Sequence, residues 1–465
     1  MRNFLSKSLF QGMYNSLSDG IIEKHSSAEF IRGGGEPLKL TYETWVEGMK
    51  KANHPNCRVD AYEKFFETPL ENLNEVEHCF PLFEDPNLSR AVQTVMQANN
   101  IGITAVKWFN YSSPVSPQFS PKSTGIGRTE ILPKRVVYFA KIWCDDRAVP
   151  FVLSYDGTGM GFGEMSVSSL KTYKEYAPSI LSLILKTAQI NNIFKNQVVT
   201  AKGRFITRPE VSYDDVILSE KARTTIDKYV RKFFSMRDIY KANGIPFKRG
   251  VILEGPPGTG KTMLGKAFAK EFKDVTFIWT TANDLSECVK SLFDWARSLT
   301  PAVLFIEDID FFGGSRSTKG LSNPSSFGHS EMGELLAQLD GFSSNDGLLV
   351  FATTNMAKSL DRAISNRPGR FDVKVTLGLP DELTRKSLLQ SFMKSVLSNG
   401  VDFDEVAKLC EGYSPAQLKE LIARAVMCAV DKGRVQSDGR TIIDQECLKE
   451  AISSWKDDEP LEDYV

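Results

Sequence analysis

The stretch Gly255-Pro256-Pro257-Gly258-Thr259-Gly260-Lys261-Thr262 limits what this chain can fold into more than any other. An apolar run, VILE, leads into it, and residues of helical character beginning with Met263 lead out. It is therefore a glycine-rich turn between a buried strand and a helix. Glycines let consecutive backbone N–H groups wrap an anion, and Lys261 adds a point charge beside the outer phosphates of a nucleoside triphosphate. The Thr262 hydroxyl can ligate a magnesium ion. The helix opening at Lys261 aims its positive end at the same oxygens. All eight residues, with Met263 next to them, are expected nucleotide contacts, and the fold they demand is α/β.

Further strands follow with the rhythm of an open Rossmann-type sheet: VTFIW (275–279), VLFI (303–306), LLVFATTN (348–355) and VKVTLG (373–378). Two of these end in chemistry. PAVLFIEDID (301–310) finishes on consecutive carboxylates, which a buried strand delivers to the carboxyl edge of the sheet. One of these carboxylates is expected to hold the metal shell, directly or through water, and its neighbour to orient and polarise the attacking water. Asn355 closes its strand where an amide can fix that water or sense the terminal phosphate, although asparagine also serves simply as a strand cap.

From Pro380 onward the sequence reads as helix. ELTRKSLLQSFMKSVLS has helical apolar spacing, Ser414 and Pro415 read as N-cap and first-turn residue ahead of AQLKELIARAVMCAV, and another helix is expected near 443–453. Residues 1–208 carry no chemical motif. There ITAVKWF (102–108), RVVYFAKIWC (135–144) and AVPFVLSYDG (148–157) read as strands, the last two as a hairpin, with helices at 87–98 and 167–190. The Ser- and Pro-rich stretch 112–127 is expected to be an exposed loop. The expected division is an α+β recognition or adaptor domain over 1–208, an α/β core over 209–380, a helical lid over 381–456 and an acidic tail over 457–465, with ITRPEVSYDD (206–215) as linker.

Composition narrows the classes. Fifty-seven basic against 58 acidic residues leave a net charge of -1, so no general field draws the chain to nucleic acid, and a nucleic-acid motor or loader is a weaker alternative, beside a slow-turnover switch stabilised by the bound nucleotide. The 7 cysteines form no CxxC pair and the 4 histidines no HExxH, which argues against a disulfide framework or a zinc site. No apolar run reaches the roughly 18–20 residues of a membrane helix. A cytoplasmic protein without membrane association is the expectation.

Together, GIPFKRGVILEGPPGTGKT, VLFIEDID, GELLAQLDGF (333–342), FATTN, NRPGRFD (366–372) and GYSPAQLKELIARA (412–425) resemble the AAA family of the AAA+ ATPases over roughly 215–455. The resemblance implies a homo-oligomeric ring, typically a hexamer, that uses ATP with Mg²⁺, returns ADP and remodels proteins, with a protein client engaged through the N-terminal domain. It matches Asn355 to the first sensor, and Arg367 and Arg370 to arginine fingers that enter the neighbouring subunit's site. The lesser reading is that either arginine simply pairs with Asp372 or another surface carboxylate. Gly412 and Ala416 match the second-sensor region, and Asp215, Val216 and Ile217 the segment lying against adenine. Three features depart from the family. The carboxylates run Glu307 then Asp308, so the resemblance implies Glu307 at the metal position with Thr262 and Asp308 as the water-polarising residue, an order similar to the mitochondrial branch that matures respiratory complex III. Only TTANDLS joins VTFIW to the next helix, too short for the usual aromatic pore loop; the nearby Trp279 reads as strand-edge packing. Asn366 stands as an insertion before Arg367. The polar stretch 311–331 is expected to be a surface loop, in which Arg316 and Lys319 could meet an acidic partner.

Overall fold

The computed structural model describes residues 57–110, 113–144, 147–159, 162–286, 289–310, 327–340, 345–355 and 370–458. They fall into two units, one running to Lys195 and regaining Lys202–Ile206, the other made of Asn196–Ala201 and the chain from Thr207. The boundary between these units is interleaved. The physical reason is pairing: Val198–Thr200 lies parallel to Thr276–Thr281 in the second unit, with Phe277 opposite Val198.

In the first unit, an antiparallel sheet runs β1-β7-β6-β5-β2-β3. Its strands are β1 (Leu73–Pro81), β2 (Ile101–Asn110), β3 (Ser113–Val115), β4 (Gln118–Gly125), β5 (Arg128–Cys144), β6 (Arg147–Asp156) and β7 (Phe162–Leu170), and β4 pairs with β5. Helices α1 (Cys57–Phe66), α2 (Asp85–Met96) and α3 (Tyr176–Ile190) complete it. Period-two alternation along β5 divides the core. Val136, Tyr138, Ala140 and Ile142 join the α2 and α3 residues, while Val137 and Phe139 join Ala61, Tyr62 and Phe66 of α1. The expected β5–β6 hairpin is present, with Cys144 opposite Arg147.

Two expectations for this unit are corrected. The stretch 112–127 is largely strand, because β4 finds a partner in β5 and turns Lys122 and Thr124 inward; its Pro121 is tolerated on a strand with a single neighbour. Helix does not begin at 167, since Val167–Leu170 complete β7, which pairs with β1 on one side and β6 on the other.

The second unit carries a parallel sheet ordered β13-β9-β12-β11-β10-β8, from β8 (Val198–Thr200), β9 (Arg249–Glu254), β10 (Thr276–Thr281), β11 (Ala302–Glu307), β12 (Leu348–Thr354) and β13 (Val373–Thr376). These strands read as continuous apolar runs because both faces are covered, and β12 is buried throughout. The helices that follow are α4 (Lys261–Glu271), α5 (Ala282–Ser286), α6 (Val289–Ser298) and α7 (Phe327–Asp340). Of the polar stretch 311–331, residues 327–331 already belong to α7; Arg316 and Lys319 lie outside the described residues. TTANDLS is not a bare connection, since its last residues form α5.

The lid of this unit comprises α8 (Glu382–Phe392), α9 (Phe403–Leu409), α10 (Pro415–Asp431) and α11 (Gln445–Asp458) around Leu389, Leu418, Leu421, Ile443 and Leu448. It is not all helix. β14 (Leu397–Asn399) and β15 (Ile442–Asp444) form a short parallel pair. Ser414 caps α10 in a reciprocal box with Gln417, followed by Pro415 at the first turn as the sequence indicated. The acidic tail from 459 lies outside the described residues. Among the described residues no helix is long and apolar enough to cross a membrane.

Candidate active site

Sheet topology creates the site. The chain leaves β9, passes β12 and β11 to reach β10, then returns through β11 and β12. The glycine-rich turn, the carboxylates and Asn355 therefore leave three adjacent strand ends, at the crevice where an open α/β sheet binds ligands.

Gly258 shows why the turn needs glycine. Its φ is +77°, and a Cβ there would lie 2.9 Å from Ala416 Cβ and 3.0 Å from Ser414 Oγ, at the start of α10. The Ala416 N–H donates to the Gly258 carbonyl at 3.2 Å. The lid helix thus begins on the glycine-rich turn, with Ala416 in its first turn. Gly412, two residues before the cap, holds φ +82°. Gly260 caps α4 from a left-handed conformation, and Thr259 Oγ1 donates to the Pro256 carbonyl at 2.8 Å. Pro257 completes the turn, and Met263 is exposed on the first turn of α4.

Lys261 is buried, its Nζ donating to the carbonyls of Gly255 at 2.7 Å and Pro256 at 2.8 Å. Burial lowers its pKa, while Asp308 and Asp310 act in the opposite direction. It is a cation held ready by weak neutral acceptors, which phosphate oxygens can replace. Thr262 Oγ1 donates to Glu307 Oε1 at 2.6 Å, so the two expected metal ligands face one another. An alcohol and a carboxylate oxygen are hard donors of the kind magnesium takes alongside phosphate and water, so these residues fit that ion. Among the described residues no cluster of three His, Cys, Asp or Glu side chains suits a metal held by protein alone.

Asp308 departs from strand geometry with φ +50°, costly for a residue with a Cβ, and its N–H donates to Thr353 Oγ1 at 2.9 Å. Asn355 Nδ2 reaches Asp308 Oδ1 at 3.3 Å. Desolvation raises the Asp308 pKa, helped by Glu307 and Asp310 and opposed by Lys261 and the Asn355 hydrogen bond. A carboxylate of raised basicity beside the phosphate loop can accept a proton from water.

Sequence reasoning missed two contributors. Asp310 accepts from the Asn355 N–H at 2.8 Å and from the Thr354 hydroxyl, fixing the end of β12 against the end of β11. The run of acids through EDID was visible, but not which of them faces β12. Trp279 donates its indole N–H to Glu307 Oε2 at 2.9 Å, so it does more than pack.

The adenine segment is divided. Asp215 closes a capping box with Ser212, its Oδ2 accepting the Ser212 N–H at 2.8 Å, so this side chain serves a local turn. Val216 is buried, and Ile217 packs against the lid core. The arginines also separate. Arg370 is buried and grips Asp340 through two bonds, Nε to Oδ1 at 2.7 Å and a terminal nitrogen to Oδ2 at 2.6 Å. Within the chain a bidentate pair thus holds the Arg370 guanidinium. Arg367 lies outside the described residues.

Comparison with known proteins agrees with this geometry. Residues 251–379 match the family model described as ATPase family associated with various cellular activities (AAA), and residues 400–449 match the AAA+ lid domain. The mitochondrial inner membrane i-AAA protease supercomplex subunit YME1 of Saccharomyces cerevisiae is 34% identical over 255 residues, 53% of this chain and 33% of that protein. The ATP-dependent zinc metalloprotease FtsH of Helicobacter felis is 36% identical over 255 residues, 53% of this chain and 39% of its own. The proteasome-activating nucleotidase of Methanopyrus kandleri is 35% identical over 235 residues, 49% and 53% respectively. The match thus spans between a third and about half of these relatives.

Proposed function

We propose, from the premise that residues 251–379 and 400–449 are the ATPase domain and lid of an AAA-family protein, that this chain hydrolyses ATP to remodel a protein client. The observation that carries the reading is the pairing of Thr262 with Glu307 and of Asn355 with Asp308 at the strand ends beside Lys261, on a turn whose Gly258 meets the start of α10.

Backbone N–H groups of the loop and Lys261, released from its carbonyls, bind the outer phosphates. A magnesium ion bound with ATP would be held by Thr262 and Glu307 and would neutralise phosphate charge. Asp308 accepts the proton of the attacking water, and its raised pKa keeps it a competent base. Asn355, anchored by Asp310, holds Asp308 and offers an amide to the same water. The Ala416–Gly258 hydrogen bond ties the lid to the phosphate loop, so loss of the terminal phosphate can move α10 relative to the sheet.

The relatives named above carry protease or proteasome-activating titles, which supports a protein client. We assign client recognition to the first unit, assembly to a hexameric ring, and the arginine acting across subunits to Arg367, since Arg370 is engaged with Asp340. Asp308→Asn tests the chemistry. Phosphate release should fall by about two orders of magnitude or more while ATP still binds. Unchanged release would remove Asp308 as the base.

A further inference from the structure

Trp279 stands beside the site with an interaction that the proposed reaction has not used. The register places Trp279 opposite Phe305 and Thr281 opposite Glu307, so Trp279 and Glu307 are diagonal neighbours on one face of the sheet. The ring is confined, with its centroid 4.6 Å from that of Phe305 and 5.7 Å from that of Phe277. Above them α4 carries Gly265, where a Cβ would come within 2.4 Å of the Phe305 ring. Helix, phenylalanine and tryptophan are therefore stacked closely enough to fix the indole's direction. That direction is toward Glu307: the N–H meets Oε2 at 2.9 Å while Thr262 holds Oε1 at 2.6 Å.

We propose that Trp279 is a positioning residue that sets the orientation of the Glu307 carboxylate for the metal. A glutamate has one more side-chain torsion than an aspartate, and a loose carboxylate is a poor member of an oriented site. Indole has a donor and no acceptor, so it holds one carboxylate oxygen without competing for a cation. The other oxygen is left toward Thr262. The longer acid and the tryptophan thus form one device, which accounts for glutamate at this strand end. The inference rests on the ATPase reading and deepens it.

Trp279→Phe keeps the ring stack and removes the donor. ATP binding is measured by calorimetry in EDTA and then as a function of Mg²⁺. In EDTA the variant should bind ATP like wild type, whereas its Mg²⁺ midpoint should rise about tenfold, the effect of one hydrogen bond to a charged group. In Glu307→Asp, whose carboxylate is withdrawn from the indole, adding W279F should shift the midpoint less than about twofold. A W279F midpoint within about twofold of wild type overturns the proposal. So does equal loss of ATP affinity in EDTA, which would mark a merely structural role. Wild type that binds no ATP under either condition instead removes the ATPase reading beneath it. Should W279F fail to fold, the indole N–H resonances of full-length protein are compared between wild type and the isosteric Glu307→Gln. One indole should move on loss of the charge, and none moving refutes the contact.

Discussion

Replacing Gly258 with alanine separates two forces at the junction of phosphate loop and lid. At φ +77° an alanine carries a left-handed penalty of about 1–2 kcal/mol. Its Cβ would also stand 2.9 Å from Ala416 Cβ, where carbon contacts favour roughly 3.5–4 Å, so the start of α10 must retreat by roughly 0.5–1 Å. The Ala416–Gly258 hydrogen bond, already 3.2 Å, would then be lost at about 1 kcal/mol. The sum, about 2–3 kcal/mol, corresponds to a fall of roughly 5–10 °C in the melting transition of a unit this size. Differential scanning calorimetry measures it, and ATP affinity should weaken with it because the lid no longer meets the loop. In G258A/A416G the contact contribution should return and the conformational one remain, leaving about half the loss. A G258A protein that melts within about 1 °C of wild type and binds ATP equally would refute the reasoning.

Three further outcomes follow from other contacts. Asp308 has a folded pKa raised above its unfolded value, so its ionisation costs stability that sets in as pH rises through the unfolded pKa and is complete above the folded one. Asp308→Asn should therefore stabilise the nucleotide-free protein at neutral pH, with the gain fading as pH falls toward the ordinary carboxylate range, and wild-type turnover should lose its base at a higher pH than an ordinary aspartate would allow. Thermal melts across pH and a pH–rate profile check both, and a destabilised D308N contradicts the sign. Arg370→Ala should cost about 1.5–3 kcal/mol by removing a buried fork, and Arg370→Lys should recover little because it cannot bridge both Asp340 oxygens; denaturant melts unchanged in both would show the pair to be dispensable. In the first unit Lys122 is buried between Asp85, at 2.7 Å, and the Pro133 carbonyl, with Tyr155 donating to the same Asp85 oxygen at 2.6 Å. Asp85→Ala strands that ammonium and should cost about 3–5 kcal/mol, whereas Lys122→Met should be milder; equal losses in denaturant titrations would contradict this.

The strands of the second unit's sheet were legible because a doubly covered parallel strand is mostly apolar along its length, as VIL, VLFI and LLVFA are. The site's ligands were legible because phosphate chemistry needs named residue types at fixed strand ends. Partnerships across the sheet were not. The direction of the Trp279 indole depends on its register with Phe305, and that of Asp310 on the neighbouring end of β12. Arg370 illustrates the same limit from the other side. NRPGRFD marks an arginine segment, but only the fold brings Asp340 from α7 to meet one of its guanidinium groups. In the first unit, β4 escaped detection because its serines and prolines resemble a loop until β5 supplies the hydrogen bonds.

Calorimetric titration of ATP into the full-length protein, with Mg²⁺ and with EDTA, for wild type and Lys261→Ala, addresses the central claim most directly. Saturable, Mg²⁺-enhanced binding that weakens by about a hundredfold or more in a folded K261A protein is the predicted result. Binding that is absent in wild type, or indifferent to both the ion and the lysine, would contradict the account.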